Sequence, residues 1–390
     1  MEERRRRRRV HLVLASTVAI ALGAAACSSS SSSASSASTQ SSGATTSSVA
    51  NISAANLAVA KTVAAQIAQQ PENLELGANP PPITKKIPKG KKISFLTCAS
   101  PGCVVIAQTF EQAAKDLGWT VQLQTVAATP NAVQVAFDTA VRQSPNAVAV
   151  VAVPTEDAPS QLAQLQKMHI PVVVAQSPDV KTGPIIVVLY NHVSADRIGK
   201  DSADYLLANG CSAGTTLYVQ VAGFQVLVYM ISAFQTEYAK LAPSATIQPL
   251  NIAATEEATA PAAIVSAVRA NPKIGCIYIS SDPMGSGLPE ALKAAGITKL
   301  PKIFTSAGGQ QTLQYIKSNL MTATQIGALG DYGWLYADTF ARYFTGQSVQ
   351  PDADALESIW MVSAANAPAT FPYSNTVNMQ QKYLKLWGLG

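Results

Sequence analysis

A chain of 390 residues is too long for one ordinary core and suits a targeting segment followed by two lobes. Only 13% of the residues are charged and alanine is abundant, so the chain can bury a large core. The net charge of +5 is set by six arginines at positions 4–9; without them the remainder is near neutral, which argues against a nucleic-acid partner.

Residues 1–26 carry the parts of an export signal: an Arg-rich start, an apolar run over 10–22 and small residues ahead of Cys27. Small residues running into a cysteine that is followed by serine resemble a bacterial lipoprotein cleavage site, with Cys27 as the lipidated new N-terminus. Ala24 stands where Leu, Val or Ile is more usual, so ordinary cleavage and a retained membrane helix stay as alternatives. The apolar run is shorter than the ~20 residues that span a bilayer, which favours the lipoprotein. Arg8-Arg9 leaves both the general and the twin-arginine export routes open. Residues 28–48 are mostly Ser, Ala and Thr and read as a flexible tether, 52–70 has helical composition, and four prolines within 79–92 form a stiff lead-in.

The segment 91–119 organises the rest of the chain. An apolar run at 93–96 leads into a loop with Cys98, Ser100 and Cys103, then an amphipathic helix that stops at Gly118. This is the first half of a βαβ unit, whose strand-end loop is where ligands sit in open α/β sheets. Further strands are expected over 121–125, 147–153 and 172–175, with helices over 104–117, 131–143 and 158–168. The runs lack period-two alternation, as parallel strands buried on both faces do. The pattern then restarts with strands at 185–189, 216–221, 246–252, 274–280, 302–305 and a short run at 323–326. Helices are expected at 195–209, 227–241, 261–270, 283–295 and 332–344, and an apolar run at 356–362 closes the series. Two β-α arrays of similar size imply an α/β chain of two lobes packed on a shared cleft.

With Cys27 assigned to lipid, Cys98, Cys103, Cys211 and Cys276 remain. An even count in an exported chain points to disulfides, and of the three pairings the near one, Cys98–Cys103 with Cys211–Cys276, is preferred. The spacing does not fit zinc, and His169 and His192 are the histidines left to the mature chain, so no metal or cofactor is expected.

Several motifs imitate catalysis. Gly210-Cys211-Ser212-Ala213-Gly214 matches G-x-S-x-G, but a helix precedes it and a strand comes after, the reverse of a nucleophile elbow. Gly285-Ser286-Gly287 lacks the third glycine of a dinucleotide loop, since Glu290 stands there. Glu156-Asp157 at a strand–helix junction is read as helix capping or ligand hydrogen bonding, and Asp282 in the same two ways. Tyr332 and Trp334 read as core aromatics. No catalytic constellation emerges, and the chain is read as a non-enzyme.

The series resembles the sugar-type branch of the type I periplasmic binding protein family over residues 91–390. The segments that carry the resemblance are KISFLTCASPGC and AAKDLGW, AVAVVAVPTEDAPSQLAQLQKMHIPVVVAQS, CIYISSDPMGSGLPEALKAAG and YGWLYADTFARYFTGQ. It implies an α/β fold of two Rossmann-like lobes with parallel sheets and a ligand cleft between them, with a first crossing between lobes after Gln176, a return near Gly327 and a second crossing near Ile359. The lobes would be 91–177 with 327–358, and 178–326 with 359–390, after a signal over 1–27 and a lead-in over 28–90. It also implies a pocket of Ser100, Cys103, Glu156, Asp157, Gln176, Phe224, Ser281 and Asp282. Where such sugar binders place an Asn and two aromatics in the first loop, this chain has Ser100, Gly102 and Cys103. Met230 stands for an expected Arg and Ala307 for an expected Asp. A sugar and a less polar solute therefore both stay open, because sugar hydroxyls need dense polar partners. The expectation is a monomeric, lipid-anchored solute-binding component of an ABC importer on the outer face of a high-GC Gram-positive cell, docking on a membrane permease. A ligand sensor for a signalling receptor is the alternative.

Overall fold

The computed structural model describes residues 52–69, 80–127, 129–176, 181–222, 224–368 and 378–390. The signal segment, Cys27, the Ser-rich tether and Gly223 lie outside the described residues.

Eleven strands form two sheets among the described residues. The first contains β1 (Lys92–Thr97), β2 (Thr120–Thr125), β3 (Ala147–Val151), β4 (Val172–Ala175) and β5 (Ile185–Leu189), all parallel, in the order β2-β1-β3-β4-β5. The second contains β6 (Thr215–Ala222), β7 (Thr246–Ala253), β8 (Ile274–Ile279), β9 (Lys302–Ser306), β10 (Ala323–Gly327) and β11 (Ile359–Ser363), in the order β11-β10-β9-β8-β6-β7. β6 to β10 repeat the order of the first sheet, and β11 adds an antiparallel edge. Each sheet reverses strand order beside its first strand, between β1 and β3 and between β6 and β8, so strand-end loops part there and leave a crevice.

The helices are α1 (Ala54–Ile67), α2 (Pro101–Asp116), α3 (Pro130–Gln143), α4 (Pro159–Lys167), α5 (His192–Ala208), α6 (Gln225–Leu241), α7 (Ala260–Ala270), α8 (Leu288–Ala294), α9 (Gln310–Lys317), α10 (Leu329–Thr345), α11 (Gln350–Ala353) and α12 (Met379–Leu386). β3 is fully buried along its length because helices cover both faces of its sheet, which accounts for its unbroken Ala and Val run. The interior is close-packed at two glycines. A Cβ at Gly199 of α5 would collide with the Met230 carbonyl of α6, and one at Gly333 of α10 with the Phe110 amide of α2. No helix among the described residues is long and apolar enough to cross a membrane.

Two expectations about lobe membership change. The apolar pattern puts β5 at the opening of the second array, but it pairs with β4, so the chain leaves the first sheet at Tyr190 rather than after Gln176. The C-terminal segment is expected in the second lobe. Instead Met379, Tyr383 and Trp387 enter the first lobe's core, where Trp387 and Tyr383 stack on Trp334 at 5.8 and 6.0 Å. A buried ion pair underlies this docking. Asp338 accepts from Arg342 Nε at 2.6 Å and from Trp387 Nε1 at 2.7 Å, so the helix end meets a charge that needs partners. α1 belongs to the second lobe's core through Ala60 and Ala64, with Ile52 just ahead of it, whereas Ile83 and Ile87 of the lead-in pack in the first.

Candidate functional site: the cleft at the strand ends

The carboxyl ends of β1, β3, β4 and β5 meet those of β6, β8, β9 and β10 around a cleft of about 1020 Å³, counting the space open to solvent at its mouth. The crossings between lobes form its back, through Tyr190, Gly327 and Glu357. Two disulfides brace the molecule, Cys98–Cys103 and Cys211–Cys276, and the first lies in the cleft wall.

Of the residues expected here, Ser100, Cys103, Gln176, Phe224 and Ser281 line the cleft. Ser100 also caps α2, its hydroxyl accepting from the Cys103 amide at 3.4 Å, so the Ser-Pro start of the helix fixes the loop that carries both residues.

Three expected residues stand elsewhere. Ala152 turns the chain out of the cleft after β3. Glu156 is then exposed, and Asp157 meets Gln134 only through its backbone carbonyl, at 3.1 Å. Neither caps a helix through its side chain. Asp282 points away from the cleft into the second lobe. Its carboxylate accepts from Thr312 Oγ1 at 2.6 Å, from the Gly309 amide at 2.8 Å and from Thr305 Oγ1 at 2.9 Å. It ties β9 to the start of α9, and burial still holds its carboxyl above the usual range.

The residues that sequence reasoning missed are Tyr190, Glu257, Ser280 and Glu357. Glu357 is 7% exposed, and burial pushes its carboxyl up to about 7, against the opposing pull of a hydrogen bond with Tyr332 and of the Arg197 charge. Tyr332 also accepts from Gln176 Nε2 at 3.3 Å and packs on Tyr190 with ring centroids 3.9 Å apart. Glu257 is partly buried, accepts from Ser281 Oγ at 3.2 Å, and is likewise raised by burial. The Ser280 hydroxyl is buried and has no hydrogen-bond partner.

Backbone strain gathers here too. Ala152, Gln176, Tyr190 and Ala307 all have positive φ, between 47° and 59°, at the ends of β3, β4, β5 and β9, and all four line the cleft. Non-glycine residues in this conformation cost roughly 1–2 kcal/mol each, and such strain collects where a binding surface must be held in shape.

Among the described residues that line this cleft there is no nucleophile–base pair. The fold matches solved binding proteins at low identity. A glucose-galactose binding protein from Geobacillus stearothermophilus is 12% identical with a TM-score of 0.63, covering 72% of this chain and 100% of that one. A carbohydrate transporter protein from Acidothermus cellulolyticus, solved with myo-inositol, is 17% identical with a TM-score of 0.61, covering 71% and 96%. The chain in an XylFII–LytSN complex is 19% identical with a TM-score of 0.59, covering 72% and 100%. No curated protein matches the sequence itself. The family model described as a periplasmic binding protein domain matches residues 94–348, and with two parallel-sheet lobes around a shared cleft, the chain belongs to that family of binding proteins.

Proposed function

We propose that this protein is the extracytoplasmic solute-binding component of an ABC importer, capturing a sugar or sugar-like small molecule and handing it to a membrane permease. The observation that carries this reading is the cleft itself, lined from both sheets and backed by the crossings between them. A solute touching both walls favours the closed arrangement by its differential affinity, which drives hinge closure. The sugar-binding proteins that share the fold support a polar small molecule. The apolar wall of Ile198, Leu227, Met230 and Ile359 supports a solute with a less polar side. Lipidation at Cys27 would hold the protein at the outer face of the membrane, with residues 28–48 as tether.

A second reading is ligand sensing through a receptor, favoured by the fold-sharing protein solved in a complex with LytSN. The deciding experiment is native mass spectrometry of the protein purified from its own host, together with pull-down of its membrane partner. A bound small molecule and a co-purifying permease support import. A co-purifying receptor kinase supports sensing. A protein that carries no solute and takes none up from host extract refutes both readings. In the same samples, an N-terminal Cys27 without acyl chains would rule out the lipid anchor.

A further inference from the structure

The chemistry of the cleft is lopsided. Among the described residues that line it, the carboxylic acids are Glu257 and Glu357, whose neutral forms burial favours, and no Lys, Arg or His joins them. The potential donors are largely engaged within the protein. Gln176 Nε2 donates to Tyr332, Gln325 Nε2 to Ser202 at 3.3 Å, Ser306 to Gln325 at 3.3 Å, and Ser281 to Glu257 at 3.2 Å. What is left facing the cleft is acceptor capacity on two carboxylates from opposite sides, one between β7 and α7 and one at the last crossing. The buried Ser280 hydroxyl, 4% exposed and without a partner, can accept there as well as donate.

A neutral sugar presents hydroxyls that both donate and accept, and with Gln176, Gln325, Ser306 and Ser281 engaged its accepting half is left mainly with hydroxyls such as Ser280. A protonated amine presents three donors and no acceptor, matching this inventory. The Tyr190 and Phe224 rings are also in the wall, and aromatic faces attract a cation. Arg197 lies outside the lining and its charge acts on Glu357, while its buried Nε and Nη2 have no hydrogen-bond partner.

We propose that the cleft takes a small organic cation: a protonated amine carried on a compact, partly apolar or polyol body, held between Glu257, Glu357 and Ser280. This rests on the solute-binding reading and names the class of solute.

The test is calorimetry on the folded mature protein after its bound solute is removed by partial unfolding and refolding. The probes are glucosamine against glucose, and putrescine against 1,4-butanediol. At least one amine should bind about tenfold or more tightly than its neutral counterpart, and Glu257→Gln and Glu357→Gln should each weaken that amine by about 10- to 100-fold. Glu257 is partly exposed, so Glu257→Gln is expected to fold and decides the matter if the buried Glu357→Gln does not. Neutral probes binding as well as the amines, or amine binding indifferent to Glu257→Gln, overturns the cation while leaving solute binding intact. No heat from any of the four probes also overturns it, and an empty native protein by mass spectrometry would then remove the solute-binding reading as well.

Discussion

The two disulfides close loops of very different length, and this predicts different consequences for removing them. Cys211–Cys276 spans 65 residues and Cys98–Cys103 spans 5. The chain-entropy relation gives about 4 kcal/mol for the long loop and about 2 kcal/mol for the short one. Packing widens the gap. Cys211 and Cys276 both sit in the second lobe's core beside Tyr218 and Tyr278, so their loss also leaves a small void there. Cys98 and Cys103 instead form part of the cleft wall. The double variant Cys211→Ala/Cys276→Ala should lower Tm by roughly 8–16 °C, taking about 2–4 °C per kcal/mol for a lobe of this size. Cys98→Ala/Cys103→Ala should cost about half as much and should change solute affinity, which the first variant leaves alone. Calorimetric melts of the ligand-free proteins provide the measurement. Equal losses, or a larger loss from the short loop, would refute the loop-length argument and place the dominant contribution in local packing around Cys103.

Two further outcomes concern carboxylates that sequence position alone misreads or misses. Asp282→Ala leaves Thr312 and the Gly309 amide without this acceptor and leaves Thr305 with Thr324 alone, so ligand-free stability should fall by about 2–4 kcal/mol in urea titrations while solute affinity holds; intact stability with lost affinity would put Asp282 back in the site. Glu357 has a folded value of about 7 against an ordinary 4.5, so the folded state holds its proton more tightly than the unfolded chain. The stability of ligand-free protein should therefore fall as pH rises from about 4.5 to 7, by an amount on the order of 3 kcal/mol, and level off at higher pH. Glu357→Gln should remove that part of the fall, and a pH profile unchanged by this substitution would contradict the assignment.

How far the sequence reaches can be judged from particular elements. Alternating apolar runs and amphipathic stretches place most strands and helices because burial on both faces of a parallel sheet dictates composition locally. Membership of a sheet is a different matter. β5 reads like any buried strand, and whether Ile185–Leu189 pairs with β4 or opens a new sheet depends on a partner that its own residues do not name. The C-terminal helix has the same ambiguity. Met379, Tyr383 and Trp387 recur at helical spacing and announce a buried face, but that the face meets Trp334 depends on the chain's return through α10. The strand-end rule finds Ser100, Cys103, Gln176, Phe224 and Ser281, since each comes a few residues after an apolar run. It is silent on Glu257 and Glu357, which lie before a helix and before an edge strand, and on the left-handed turns at Ala152, Gln176, Tyr190 and Ala307, none of them Gly or Asn. Asp282 shows why position alone misleads. An acid just past a strand can cap its own helix, reach a ligand or turn inward, and Thr305, Gly309 and Thr312, more than twenty residues further on, decide for the third. The two carboxylic acids of the cleft wall thus come from segments that the strand-end pattern passes over, which is why the sequence indicates a binding fold more readily than the chemistry of its cleft.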